Sequence, residues 1–150
     1  MDSLKWVSVL FHQVHFLFWN TPQTLNSAKI SDDFPLSHFE EVGNEVIIYG
    51  QKSYNGVAII SKLKIENVNK GFTYENEGEN ISVELNEQKR LISADINGLK
   101  IINVYVPNGS AIDSDKYHYK IKWLIHLSSF LDKHLKDDDL VCFVGDFNIA

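Results

Sequence analysis

The residues best suited to chemistry stand at the end of the chain, in the run Gly145-Asp146-Phe147-Asn148, directly after the apolar stretch of residues 140–144. If that stretch continues as a strand, Asp146 and Asn148 project to the same side, because side chains alternate along an extended backbone. Gly145 supplies a position without a Cβ, where backbone or ligand can come close. A carboxylate that takes a proton from water, beside an amide that donates to a developing oxyanion, suits hydrolysis at phosphorus. The same carboxylate suits a hard cation such as Mg2+. An ordinary turn is the competing reading, since Asp and Asn side chains bond their own backbone two residues on.

A second chemical candidate is Tyr105, near the end of the apolar run 101–106 and just before Pro107-Asn108-Gly109. A Pro-containing turn ends a strand there, and the tyrosine hydroxyl can donate to a phosphate oxygen or lie in the core.

These residues need elements to hold them. Residues 46–49 and 56–60 read as two strands joined by the polar segment 50–55, an antiparallel hairpin. After a looped stretch over residues 70–80, strands are predicted over 81–85 and 90–96, and Asn97-Gly98 is a two-residue hairpin signal leading into a strand over 100–106. Asp113 or Ser114 caps a helix whose apolar stripe is Ile121, Leu124, Ile125, Leu131 and Leu135. Asp137-Asp138-Asp139 ends it, and residues 140–144, apolar throughout, read as a strand covered on both faces. Strands first and a long helix late indicate a mixed α/β sandwich.

Composition sets the bounds. At 150 residues the chain is about one domain long, and 44% hydrophobic against 23% charged residues is enough apolar material for a core. The formal net charge of −6 neither favours nor excludes a polyanionic partner, because phosphate affinity depends on where the cations cluster. The lone Cys142 excludes an internal disulfide and a multi-cysteine zinc site, and within its apolar run it reads as a core thiol. Residues 6–19 are nearly uncharged but too short and too often interrupted by His12, Gln13 and His15 to cross a membrane. His12 and His15, three apart, would share a helix face, but no carboxylate or cysteine nearby completes a metal set, so they read as structural. A secretory leader is not indicated.

Four ordered segments carry a resemblance: residues 50–59 (GQKSYNGVAI), residues 103–109 (NVYVPNG), residues 115–120 (DKYHYK) and residues 145–148 (GDFN). In this order and spacing the chain resembles the exonuclease III family of abasic-site endonucleases, within the endonuclease/exonuclease/phosphatase superfamily. The resemblance implies an α/β fold, a four-layer DNase I-like sandwich of which this chain would form the first half to two-thirds. It implies Mg2+- or Mn2+-dependent hydrolysis of duplex DNA at abasic sites and 3′ ends, by a monomeric protein of the bacterial cytoplasm with no membrane association. Matched residue by residue, Tyr105 takes the place of the active-site tyrosine. Asp146 takes that of the proton donor or acceptor that also contacts metal, and Asn148 that of the transition-state-stabilising amide, grouped here with Asp146 at the metal. Lys52, Tyr54 and Asn55 fall in a loop that approaches DNA in the family, and Arg90 matches a basic position in the strand after the variable loop.

The pattern breaks at both ends. Alignment of residues 34–36 places Ser27 where the family's metal-binding glutamate stands, and residues 1–24 are an atypical N-terminal segment in which Trp19-Asn20 resembles the family's first motif only superficially. The sequence stops at Ala150, short of the family's second aspartate and its Ser-Asp-His ending. The expectation is therefore a single incomplete domain with severely reduced cleavage. The alternative is an inactive remnant that at most binds DNA or a partner chain. A phosphoinositide-type substrate is disfavoured by residues 51–59.

Overall fold

Residues 14–20, 36–51, 55–72 and 84–149 are described by the structure, a computed structural model. The strand β3 (Asn55–Ser61) is buried at every position and is the axis of the first sheet. β1 (Val14–Asn20) and β2 (Glu45–Gly50) flank it, both antiparallel. Alternation sends its side chains to two different layers. Val57 and Ile59 face a core shared with Phe16 of β1, while Ala58 and Ile60 pack with Val46, Ile48 and Phe39 of the short helix α1 (Leu36–Glu41).

The second sheet has the order β4 (Glu66–Lys70), β5 (Leu91–Ile96), β6 (Leu99–Tyr105), β7 (Val141–Asp146). Its first two pairings are antiparallel and the last is parallel. Asn97 and Gly98 both have positive φ, 50° and 79°, as the tight β5–β6 hairpin requires. β6 and β7 run parallel because the 20-residue helix α2 (Asp115–His134) carries the chain across between them. One face of this sheet, with Ile92, Ala94, Ile101 and Val144, closes on the first sheet. The other, with Leu91, Ile102 and Val104, takes Trp123, Leu127 and Phe130 of α2. The layers are thus helix, sheet, sheet, helix, the four-layer sandwich expected. A buried polar link joins the sheets, the Asn103 amide donating to the Ala58 carbonyl at 2.9 Å.

Several local expectations are corrected. Glu84 and Leu85 lie in a helical turn rather than a strand. Leu85 is buried against α2, and the Asn86 side chain pairs with both the backbone N–H and the carbonyl of Phe72. Phe72 in turn meets Trp123 edge-on at 5.4 Å. β4 is a polar strand, ENVNK, with no apolar alternation to betray it. The cap of α2 is Ser114, whose hydroxyl accepts from the Tyr117 N–H, and Asp113 lies outside at φ +64°. The buried stripe of α2 is Trp123, Leu127 and Phe130, while Ile121 and Ile125 are exposed. Burying the two large rings outweighs burying two isoleucines, and the helix rotates accordingly. β7 is covered on one face only: Val144 is buried and Cys142 partly so, whereas Val141 and Phe143 are exposed. His15 lies in a strand, not on a helix face; His12 is outside the described residues. No helix among the described residues is long and apolar enough to cross a membrane.

Candidate active site

The parallel register of β6 and β7 sets Tyr105 directly beside Asp146, and Val104 beside Gly145. Both chemical candidates are therefore at the C-terminal ends of neighbouring parallel strands, where an open α/β sheet offers its backbone to a ligand. The junction depends on Gly145. Its φ is +136°, and a Cβ there would lie 1.8 Å from the Val104 carbonyl oxygen.

Beyond the strand the chain turns back on itself. The Asn148 N–H donates to Asp146 Oδ1 at 2.9 Å, and the Asn148 side-chain amide donates to the Val106 carbonyl at 2.7 Å. The Val106 N–H meets the Asp146 carbonyl at 2.8 Å. Asn148 itself is left-handed, φ +46°, a conformation that Asn tolerates better than most residues. The turn reading and the catalytic reading thus coexist: one carboxylate oxygen orients the group, and the amide keeps a second N–H for another acceptor.

Tyr105 is buried and covered by Arg90. The guanidinium lies 4.6 Å from the centre of its ring, and Nη1 donates to the Tyr105 carbonyl at 3.1 Å. Nε of Arg90 donates to Gln88 Oε1 at 2.7 Å. Arg90 is 8% exposed and Asn55 0% exposed, and the Asn55 amide donates to the Gln88 carbonyl. Two of the expected DNA contacts are thus interior groups that shape the segment before β5. Lys52 and Tyr54, the other two, lie outside the described residues, as does Ser27.

A cleft of about 670 Å³ opens over Tyr105 and Arg90, lined also by Asn108, Lys116, His118 and Lys122. Asp146 and Asn148 do not line it. Lys122 is paired with Glu84 at 2.6 Å, on the surface. The sequence analysis gave this cleft no role, although residues 115–120 are among the segments that carry the resemblance, and His118 and Lys122, four apart, share a helix face. It also set Trp19-Asn20 aside, yet Asn20 ends β1 directly opposite Asn55, and β1 packs against β6 and β7.

A Mg2+ ion needs several oxygen ligands. Among the described residues no three His, Cys, Asp or Glu side chains come together, and one oxygen of Asp146 is already engaged by Asn148. The described residues alone do not build such a site.

Two sheets packed face to face with helices outside, and acid and amide at a strand end, define a DNase I-like α/β sandwich. No family model matches the chain. The exodeoxyribonuclease III of Haemophilus influenzae is 32% identical over 132 residues, which are 84% of this chain and 46% of that protein. An AP endonuclease from Archaeoglobus fulgidus superposes with a TM-score of 0.68 at 38% identity, covering 80% of this chain and 43% of that one. A 3′ phosphatase from Neisseria, bound to a product DNA hairpin, gives a TM-score of 0.73 at 30% identity, with coverage of 92% and 48%. In sequence and fold the chain is similar to proteins of the exodeoxyribonuclease III and AP endonuclease family, and it spans about half the length of these relatives.

Proposed function

We propose that this chain carries the strand-end site of an exodeoxyribonuclease III-type DNA phosphodiesterase. Its substrate is duplex DNA at abasic positions or 3′ ends. The observation that carries the reading is the register placing Tyr105 beside Asp146 at the ends of two parallel strands, with Asn148 turned back onto the carboxylate. In hydrolysis of a phosphodiester the Asp146 carboxylate takes the proton of the attacking water. The bond from phosphorus to the 3′ oxygen breaks, that oxygen leaving as a 3′ hydroxyl with a proton from solvent, and the second N–H of the Asn148 amide meets the charge that develops on the phosphoryl oxygens. Tyr105, stiffened by Arg90 above its ring, orients the phosphate through its hydroxyl. In this reading Lys116, in the lining of the adjacent cleft that also holds Glu84 and Asp115, supports a phosphate of the DNA backbone.

A second reading, DNA binding without cleavage, draws on the Asp146 carboxylate, one oxygen of which already accepts from the Asn148 N–H. One experiment separates the two. A labelled duplex with a single abasic site is incubated with the purified chain and Mg2+, with chelator and with the Asp146→Ala variant. Cleavage that needs both Mg2+ and Asp146 establishes the nuclease, and Asp146→Ala then falls by about 10²–10⁴-fold. A folded sample that binds the duplex in a salt-dependent way but leaves it intact refutes the nuclease reading and establishes the other.

A further inference from the structure

The turn at residues 146–148 has a tether from outside its own strand. Lys120 leaves the second turn of α2, and its Nζ donates to the main-chain carbonyl of Asn148 at 2.6 Å. Its stem passes over Gly109, where an added Cβ would lie 3.1 Å from the Lys120 Cδ. Gly109 is held in turn by the Ser114 hydroxyl, which donates to its carbonyl at 3.1 Å. One side chain thus crosses the loop that follows Tyr105 and ends on the residue that orients Asp146.

We infer that Lys120 is a positioning residue for the turn at residues 146–148. Three bonds meet on Asn148: its N–H to the Asp146 carboxylate, its amide to Val106, and its carbonyl from Lys120. The first two lie within the strand ends themselves. Phe147 packs on the cluster that holds Trp123, Leu127 and Phe130 of α2, but of the three hydrogen bonds only the third comes from α2, and it is charge-assisted and short, the stronger class. Without it the left-handed Asn148 can relax toward extended backbone, and the bond to Asp146 opens with it. Lys120 touches no reacting atom in this account, so the inference concerns geometry. Its relevance to catalysis rests on the proposed function above.

The test is amide hydrogen exchange at Asn148, whose N–H is the one bonded to Asp146, together with thermal unfolding. In Lys120→Met, which keeps the stem and removes the charge, exchange at Asn148 should rise about ten-fold or more, as expected for loss of a hydrogen bond to a charged group. The β5 and β6 amides should remain protected. Lys120→Arg should restore protection, which a purely space-filling role would not require. Lys120→Gln, too short to reach, is measured in parallel in case the Met variant does not fold, and the surface variant Lys64→Met serves as control. Unchanged exchange at Asn148 in the Met or Gln variant overturns the inference, as does an equal rise in the Lys64→Met control. Abasic-site incision is followed on the same samples. If the native chain does not cleave, the nuclease reading falls while the exchange result still decides the role of Lys120.

Discussion

Replacing Gly145 by Ala should be far more damaging than any other glycine-to-alanine change in the described residues that points into open space. The backbone at Gly145 has φ +136°, a region open essentially to glycine alone, where another residue costs about 1–3 kcal/mol. A Cβ built there would lie 1.8 Å from the Val104 carbonyl oxygen and 2.8 and 2.9 Å from the Val104 carbonyl carbon and nitrogen. Those are backbone atoms of the neighbouring strand, so no rotamer change relieves the overlap. The strands must part, at the further cost of about 1–3 kcal/mol typical of overpacking. The sum, about 2–6 kcal/mol, is a large share of the roughly 5–15 kcal/mol that holds an ordinary domain together. Gly43→Ala is the matched control, with φ +79° and nothing within 4 Å of the added methyl; it should cost only about 1–2 kcal/mol, the conformational part. Urea unfolding followed by tryptophan fluorescence measures both. Because Val104–Gly145 is the register pair just before Tyr105–Asp146, residual folded Gly145→Ala protein should also have lost its site geometry. A loss at Gly145 no greater than at Gly43 would refute the close parallel junction and, with it, the placement of Asp146 beside Tyr105.

Three further outcomes are expected. Asn103→Ala removes the buried donor to the Ala58 carbonyl and should lower stability by about 1–3 kcal/mol in the same urea assay. Arg90→Met should destabilise the fold by a similar amount, since it strips a buried donor from the Tyr105 carbonyl and the cation from above its ring. The salt dependence of any DNA binding should then change by less than about one phosphate contact. Burial pushes the Asp95 carboxyl up, but hydrogen bonds from Lys100 and Asn67 and the charge of Lys100 outweigh it, and its pKa is lowered. A depressed carboxylate contributes stability that is present above its unfolded pKa of about 3.9 and disappears as pH falls through the folded value. Unfolding free energy measured between pH 7 and pH 2 should therefore fall less steeply at the acid end for Asp95→Asn, by at most about 1 kcal/mol for a part-buried pair at the surface.

What the sequence determined alone is local and periodic. The β2–β3 hairpin, the Asn97-Gly98 turn, the end of β6 before Pro107 and the start of α2 at Asp113 or Ser114 were all legible, because each depends on neighbours within a few residues. So was the run at residues 145–148, together with the family it resembles. The polar strand β4 was not legible, because its pairing with β5 comes from backbone hydrogen bonds that leave no apolar alternation behind. The buried face of α2 was misread toward Ile121 and Ile125. Which side of an amphipathic helix faces inward depends on the partner, here Phe72 and the far face of the second sheet. The double burial expected of residues 140–144 failed for a related reason, since a run of apolar residues states a preference but not whether a layer exists on each side. The site divides in the same way. Asp146 and Asn148 are local neighbours, and their turn follows from their own side chains. Their position beside Tyr105, the burial of Arg90 and Asn55, and the reach of Lys120 across Gly109 join residues spread from Asn55 to Asn148. Only the parallel crossover through α2 and the closing of one sheet on the other bring those together.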